Sequence, residues 1–195
     1  MENGKKISID SATLMNKIFE LIEAQKLFDI PYSKLDIIIH PESLIHAIVI
    51  LRNGLKKLIY HETSMVIPLA NAIFDGNFKI EDFLNSSKKH MQPDINNLTF
   101  RNIDRKIFPA IKMKHIANLY PSTPIIINSA NELLVDQFLK KKIRFLDITK
   151  IILRILRDGQ YKKYAILKPN SLKRINLVNL WAKNLTIKKL GLKND

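Results

Sequence analysis

Cysteine is absent from the 195 residues, and glycine is scarce at five. The first absence excludes disulfides, thiolate nucleophiles and cysteine-ligated zinc. No G-x-G-x-x-G occurs, so the glycine turn that cradles a dinucleotide pyrophosphate is not written in this stretch of chain. No apolar run approaches the roughly 20 residues that a membrane-spanning helix needs. The residues after Met1 hold no signal-peptide core, which makes a cytoplasmic protein the expectation. Carboxylates are in the minority, 18 against 32 Lys and Arg, for a formal charge of +14.

Such a balance suits nucleic acid, anionic surfaces or phosphorylated small molecules. The cations are spread along the chain, and Lys, Ile and Asn abound throughout, as in a coding sequence rich in A and T. No RNA-recognition or zinc-finger signature accompanies them. A non-catalytic dimerisation module or a basic nucleic-acid-binding module stands as the alternative reading. With 46% hydrophobic residues, the chain can bury one medium core or two small ones.

The stretch from Asp10 to Glu20, DSATLMNKIFE, is the most suggestive chemically. Asp10 or Ser11 can cap a helix whose apolar positions Leu14, Ile18, Leu21 and Ile22 carry it to about Phe28. On that helix Thr13, Asn16, Lys17 and Glu20 share one narrow face below Ala24. A hydroxyl, an amide, a cation and a carboxylate then line one edge, and the positive helix start suits a phosphate. The same face also reads as the ordinary polar side of an amphipathic helix, with Lys17 and Glu20 a solvated pair.

The run Lys6-Ile7-Ser8-Ile9-Asp10-Ser11-Ala12-Thr13-Leu14-Met15-Asn16-Lys17, with Glu20 and Ile22-Glu23-Ala24, resembles the 1-deoxy-D-xylulose 5-phosphate reductoisomerase family. The resemblance implies an NADPH-dependent oxidoreductase and isomerase of the non-mevalonate route to isoprenoids, forming 2-C-methyl-D-erythritol 4-phosphate. It implies that Ser11, Asn16 and Lys17 bind the substrate phosphate. It makes Glu20 a ligand of Mg2+ or Mn2+ that also touches substrate, so that Glu20 and Lys17 are the catalytic candidates. Gly4 corresponds to a glycine beside the nicotinamide cofactor. In the family the metal holds the ketone and hydroxyl oxygens of the substrate while the carbon skeleton rearranges. A phosphorylated sugar is the expected ligand, and a homodimer or a separate amino-terminal half is the expected partner.

Along the chain, Lys6–Ile9 reads as a short strand and Leu35–Ile39, rich in β-branched residues, as a buried one. Residues 40–46, HPESLIH, hold two histidines and a glutamate, but Pro41 argues against a helix that would bring both imidazoles together. The family has a similar His-Pro-x-Ser-x-Ile-His segment, implying a structural turn near the active site and dimer surface. Arg52-Asn53-Gly54 between Ala47–Leu51 and Leu55–Tyr60 signals a hairpin, expected to extend a sheet against which the first helix packs. Residues 62–68, ETSMVIP, depart from the family's Pro-Asp-Met-x-x-Pro. A short helix is expected over Leu69–Phe74 and another from Ala110 to about Tyr120. Ile125-Ile126-Ile127 is strand-like in composition, whereas NSANE at 128–132 resembles a family helix start that Asn128 or Ser129 would cap. Helices follow at Glu132–Lys140, Asp147–Asp158 and Ser171–Leu190, the last with Trp181 on its apolar side.

The expected architecture is α+β. A helix-on-sheet catalytic portion occupies residues 1–74 and a polar connection 75–108. A small all-α helical bundle follows over 109–195. The family's nucleotide-binding domain, its other metal carboxylates and its flap correspond to nothing in this sequence. The 195-residue chain alone is accordingly expected to be inactive.

Overall fold

The computed structural model describes residues 2–83 and 97–191. Asn85-Ser86-Ser87 and Lys88-Lys89-His90, read as part of the connection, lie outside them. In chain order the helices are α1 (Glu2–Ala12), α2 (Met15–Phe28), α3 (Val66–Phe74), α4 (Thr123–Leu139), α5 (Phe145–Ile155), α6 (Tyr161–Ala165) and α7 (Leu172–Leu190). The strands are β1 (Ile45–Ile50) and β2 (Lys56–Tyr60). Packing makes two compact units, Met1–Ile37 with Ile103–Asp195, and Ile38–Asn102. The sequence pattern had suggested divisions near 75 and 109; packing instead joins the first two helices to the last four.

The core of the first unit is helical. Met15 and Ile18 of α2, Ile126 and Leu134 of α4, Ile152 of α5 and Val178 of α7 are wholly enclosed in one cluster. Each helix has a local cause. Pro124 sits in the first turn of α4, where its fixed φ is favourable and its missing N–H costs nothing. At the start of α5 the Arg144 amide donates to Asp147 Oδ2 at 3.1 Å. On α5 the buried isoleucines 148, 151, 152 and 155 make one helical stripe. Ser171 caps α7 by accepting from the Arg174 amide, and Gly191 ends it at φ +69°. Trp181 of α7 stacks on Tyr164 with ring centroids 4.3 Å apart.

Several local expectations are corrected. Lys6–Ile9 is helix, not strand. The alternation of Ile7 and Ile9 is accidental, because Ile9 is buried with Asp10 and Thr13 while Ile7 is 59% exposed. The helix expected to start at Asp10 or Ser11 is two helices, broken at Thr13 and Leu14. Leu35–Ile39 is extended chain with one bridge, Ile39 to Arg101, because among the described residues no strand pairs with the rest. Ile125–Ile127 is helical, since Ser122 and Pro124 begin α4 before it and two of its isoleucines enter the helical core. Asn128 and Ser129 therefore lie inside α4 and cap nothing. The helix expected over 110–120 is a run of 3-10 turns, Pro109–His115, followed by further turns. The first helices pack on α4 and these turns.

In the second unit β1 and β2 form the expected antiparallel hairpin. Gly54 takes φ +87° and Asn53 Oδ1 accepts the Leu55 amide at 3.1 Å. The His40 ring stacks on Phe100 at 4.9 Å. Its Nδ1 lies 2.8 Å from the Thr99 carbonyl and 2.9 Å from Glu42 Oε2. Glu42 also accepts the Thr99 amide and hydroxyl, bonds that hold its carboxyl below the usual carboxylate range. His46 instead stacks on His61 at 3.7 Å. The two histidines of the HPESLIH segment thus have different partners.

The helical assignment of α1 predicts unequal isoleucines. Ile9→Ala should cost about 2–5 kcal/mol in urea unfolding, and Ile7→Ala within about 0.5 kcal/mol. In a strand, residues 7 and 9 would share a face and respond alike.

Candidate functional site

The α1–α2 junction positions most of the candidate side chains. Leu14 sits in the left-handed region at φ +68°, unusual for a residue with a branched side chain. Three things hold it there. Leu14 itself is buried. Its amide donates to the Ser11 carbonyl at 3.1 Å. The buried Thr13 hydroxyl donates toward the carbonyls of Ile9 and Asp10 (2.9 and 3.2 Å) and accepts the Met15 amide at 3.4 Å. Thr13 is therefore not on the polar face with Asn16, because its hydroxyl closes the break instead.

Asp10 is not a cap either. Its carboxylate is buried and accepts from Asn131 Nδ2 at 2.8 Å. Burial raises its pKa above the ordinary value, against the opposing effects of the Asn131 hydrogen bond and the Lys6 charge. Composition alone concealed this pair. Its one signal was helical, since Lys6, Ile9, Asp10 and Thr13 recur at the spacing of a single stripe.

The break moves the usable helix start from Asp10 to Leu14. Asn16 and Lys17 consequently occupy the first turn of α2, where backbone amides lack intrahelical acceptors and the dipole is positive. Glu20 follows one turn later and joins both side chains. Asn16 Nδ2 donates to Glu20 Oε1 at 2.6 Å, and Lys17 Nζ donates to Glu20 Oε2 at 2.6 Å. Lys17 and Glu20 are each about half exposed, so these groups are open to solvent and to ligands. The cluster pairs a cation and an amide donor, suited to an anion, with one hard oxygen ligand.

The other two candidates stand apart on α1. Ser11 is exposed in the last turn of that helix. Gly4 is seven residues earlier, hence two turns away on the same face, and the Ser8 hydroxyl donates to its carbonyl. A Cβ at Gly4 would meet nothing within 4 Å among the described residues, so the space beside it is open to a ligand.

Glu20 alone supplies one carboxylate. Among the described residues no group of three or more His, Cys, Asp or Glu could hold a metal ion. Mg2+ is typically held by one or two carboxylates together with substrate oxygens and waters, so Glu20 could supply one ligand of such a site. Glu132 pairs with Lys183 of α7 at 3.2 Å and ties two helices together.

Comparison with known proteins agrees in every direction. The family model "DXP reductoisomerase C-terminal domain" matches residues 62–185, and "1-deoxy-D-xylulose 5-phosphate reductoisomerase C-terminal domain" matches residues 1–28. The 1-deoxy-D-xylulose 5-phosphate reductoisomerase of Pelagibacter ubique is 42% identical over 177 residues, covering 90% of this chain and 45% of that protein. The enzyme of the Wolbachia of Brugia malayi is 42% identical over 154 residues, 76% of this chain and 38% of its own length. The Zymomonas mobilis reductoisomerase solved with NADPH superposes with a TM-score of 0.81 at 32% identity, over 95% of this chain and 47% of that one. A reductoisomerase structure with fosmidomycin and magnesium gives 0.84 at 30% identity, over 95% and 46%. The chain thus spans about half the length of the relatives it matches.

Two outcomes test this geometry. Glu20→Gln should change unfolding stability by no more than about 0.5 kcal/mol, because an exposed pair contributes little; a larger loss by urea titration would make Glu20 structural. The raised Asp10 pKa makes its stabilising contribution complete below the ordinary carboxylate range and lost as pH rises through the folded-state value. Asp10→Asn should therefore flatten the pH dependence of melting temperature on the acid side of neutrality, read by thermal scans.

Proposed function

This chain belongs to the 1-deoxy-D-xylulose 5-phosphate reductoisomerase family, and we propose that it carries the phosphate-binding and part of the metal-binding machinery of such an enzyme. The whole enzyme's reaction would be the NADPH-dependent conversion of 1-deoxy-D-xylulose 5-phosphate to 2-C-methyl-D-erythritol 4-phosphate in non-mevalonate isoprenoid biosynthesis. The observation that carries the proposal is the convergence of Asn16, Lys17 and Glu20 over the first two turns of α2. It occurs in a stretch that matches the family on its own.

In this reading Lys17 supplies a full charge to the substrate phosphate, and Asn16 and Ser11 supply neutral donors. The start of α2 adds its positive end. Glu20 neutralises Lys17 in the unliganded chain. Phosphate binding to Lys17 and Asn16 would free the Glu20 carboxylate, which could then serve as one oxygen ligand of a divalent metal. Mg2+ or Mn2+ would hold substrate oxygens and NADPH would supply hydride. Gly4 would lie beside the nicotinamide. The first two helices, packed in one unit with α4 to α7, would carry the anion site. Among the described residues no cluster of carboxylates and histidines accompanies Glu20, and the 195-residue chain by itself is predicted to consume no NADPH.

A homodimer is the further expectation. The hairpin exposes Val49, Ile50, Leu55, Leu58 and Ile59, and consecutive residues of a strand face opposite sides. Two strands alone are marginal in water, and an uncovered apolar hairpin invites pairing. A partner copy over this surface would answer both. Among the described residues no helix is long and apolar enough to cross a membrane, which is in keeping with a cytoplasmic enzyme.

Titrating the 15N-labelled chain with inorganic phosphate tests the anion site. The Asn16 side-chain amide and the Lys17 backbone amide should shift together, and Lys17→Ala should weaken binding at least tenfold. Phosphate that shifts residues elsewhere and spares 11–20 would overturn the assignment. For the dimer, Ile50→Lys with Leu58→Lys should halve the mass in sedimentation. A parent chain that sediments as a monomer would refute it.

A further inference from the structure

We propose that Asp10 and Asn131 are positioning residues of the candidate site, a buried latch between α1 and α4 that sets where α1 ends and so aims the first turn of α2. This rests on the anion-site reading given above and adds to it two residues that touch no ligand.

The latch joins residues 121 positions apart, Asn131 Nδ2 to Asp10 Oδ1 at 2.8 Å. Both residues are buried, Asn131 completely. From Asp10 a continuous set of bonds leads to the site. The Asp10 and Ile9 carbonyls receive the Thr13 hydroxyl, and that hydroxyl accepts the Met15 amide. Ser11, next to the latch, receives the Leu14 amide through its carbonyl. Met15 opens α2, and Asn16 and Lys17 follow it. A shift at Asp10 therefore displaces Ser11 directly and the α2 donors through Thr13 and Leu14. A phosphate held by several donors depends steeply on their relative placement.

Stability does not account for the choice of residues. A carboxylate in an apolar cluster is costly to charge. Asn131 Oδ1 is buried without a partner among the described residues, a further cost. An amide at position 10 could meet both atoms of the Asn131 amide, and two apolar residues could pack with no polar atoms at all. What a directional polar bond supplies, and apolar packing does not, is a fixed register between two helices.

The test uses the 195-residue chain with Asp10→Asn, Asn131→Ala and the exchanged pair D10N/N131D, each followed by amide hydrogen exchange, calorimetric titration with inorganic phosphate, and thermal melting. Asp10→Asn and the exchanged pair keep a bond between the two positions and should stay within threefold of the parent in phosphate affinity. Asn131→Ala should weaken phosphate at least tenfold. It should also speed exchange of the Leu14 and Ile18 amides at least tenfold, with α7 amides within twofold of the parent. A merely structural pair would lower the melting temperature and raise exchange across α4, α5 and α7 alike. It would leave phosphate affinity of the folded chain unchanged, and that result overturns the proposal. If Asn131→Ala does not fold, Asp10→Ser empties the same bond from the α1 side and is read identically. A parent chain that binds no phosphate would sink the anion-site reading, and localised or uniform exchange would still decide the latch.

Discussion

Everything in the amino-terminal segment depends on a problem of helical phase. At 100° per residue, the buried positions Ile9, Asp10 and Thr13 and the buried positions Met15, Ile18, Leu21 and Ile22 would point roughly 140° apart on one straight helix. No single core could receive both. The left-handed residue Leu14 removes the conflict by ending one helix and starting another in a new phase. Its cost, of order 1–3 kcal/mol, is offset by its own burial and by the Thr13 hydroxyl that closes the turn. Both apolar stripes then enter the same helical cluster.

The chemistry follows from that bend. A straight helix from Asp10 would have placed its start well before Asn16 and Lys17. The break gives α2 its own start, with these two residues in its first turn and Glu20 one turn on. The three side chains meet at solvent, and the bonds that bend the chain are buried beneath them. In the same unit Lys114 reaches Asp36 at 2.6 Å and holds that carboxyl below its usual range. The functional candidates are thus exposed and cheap to alter, while the groups that place them are enclosed.

How much of this was readable from residue types depends on the range of the interaction responsible. The hairpin was legible because Asn53-Gly54 writes its turn locally. The helices α5 and α7 were legible because a 3.6-residue apolar period and a capping serine are local too. The strand reading of Lys6–Ile9 failed for the opposite reason. Two isoleucines alternate there, but α4 and the core decide which one is buried, and α4 lies more than 100 residues away. Ile125–Ile127 misled in the same manner, since β-branched residues in a helical core look like a strand until their surroundings are known. Asn16, Lys17 and Glu20 were found because they sit four residues or fewer apart on one turn. The Asp10–Asn131 pair was missed because only the tertiary fold joins it. Asp10 in a polar stretch reads first as a cap.

The central claim is that this chain carries the phosphate end of a reductoisomerase site. It is tested most directly by joining the chain to the amino-terminal remainder of the Pelagibacter ubique relative and following NADPH oxidation with 1-deoxy-D-xylulose 5-phosphate and magnesium. The account predicts turnover that Lys17→Ala lowers mainly through a higher KM and Glu20→Gln lowers mainly through kcat. A folded fusion that consumes NADPH equally well with both substitutions would contradict it.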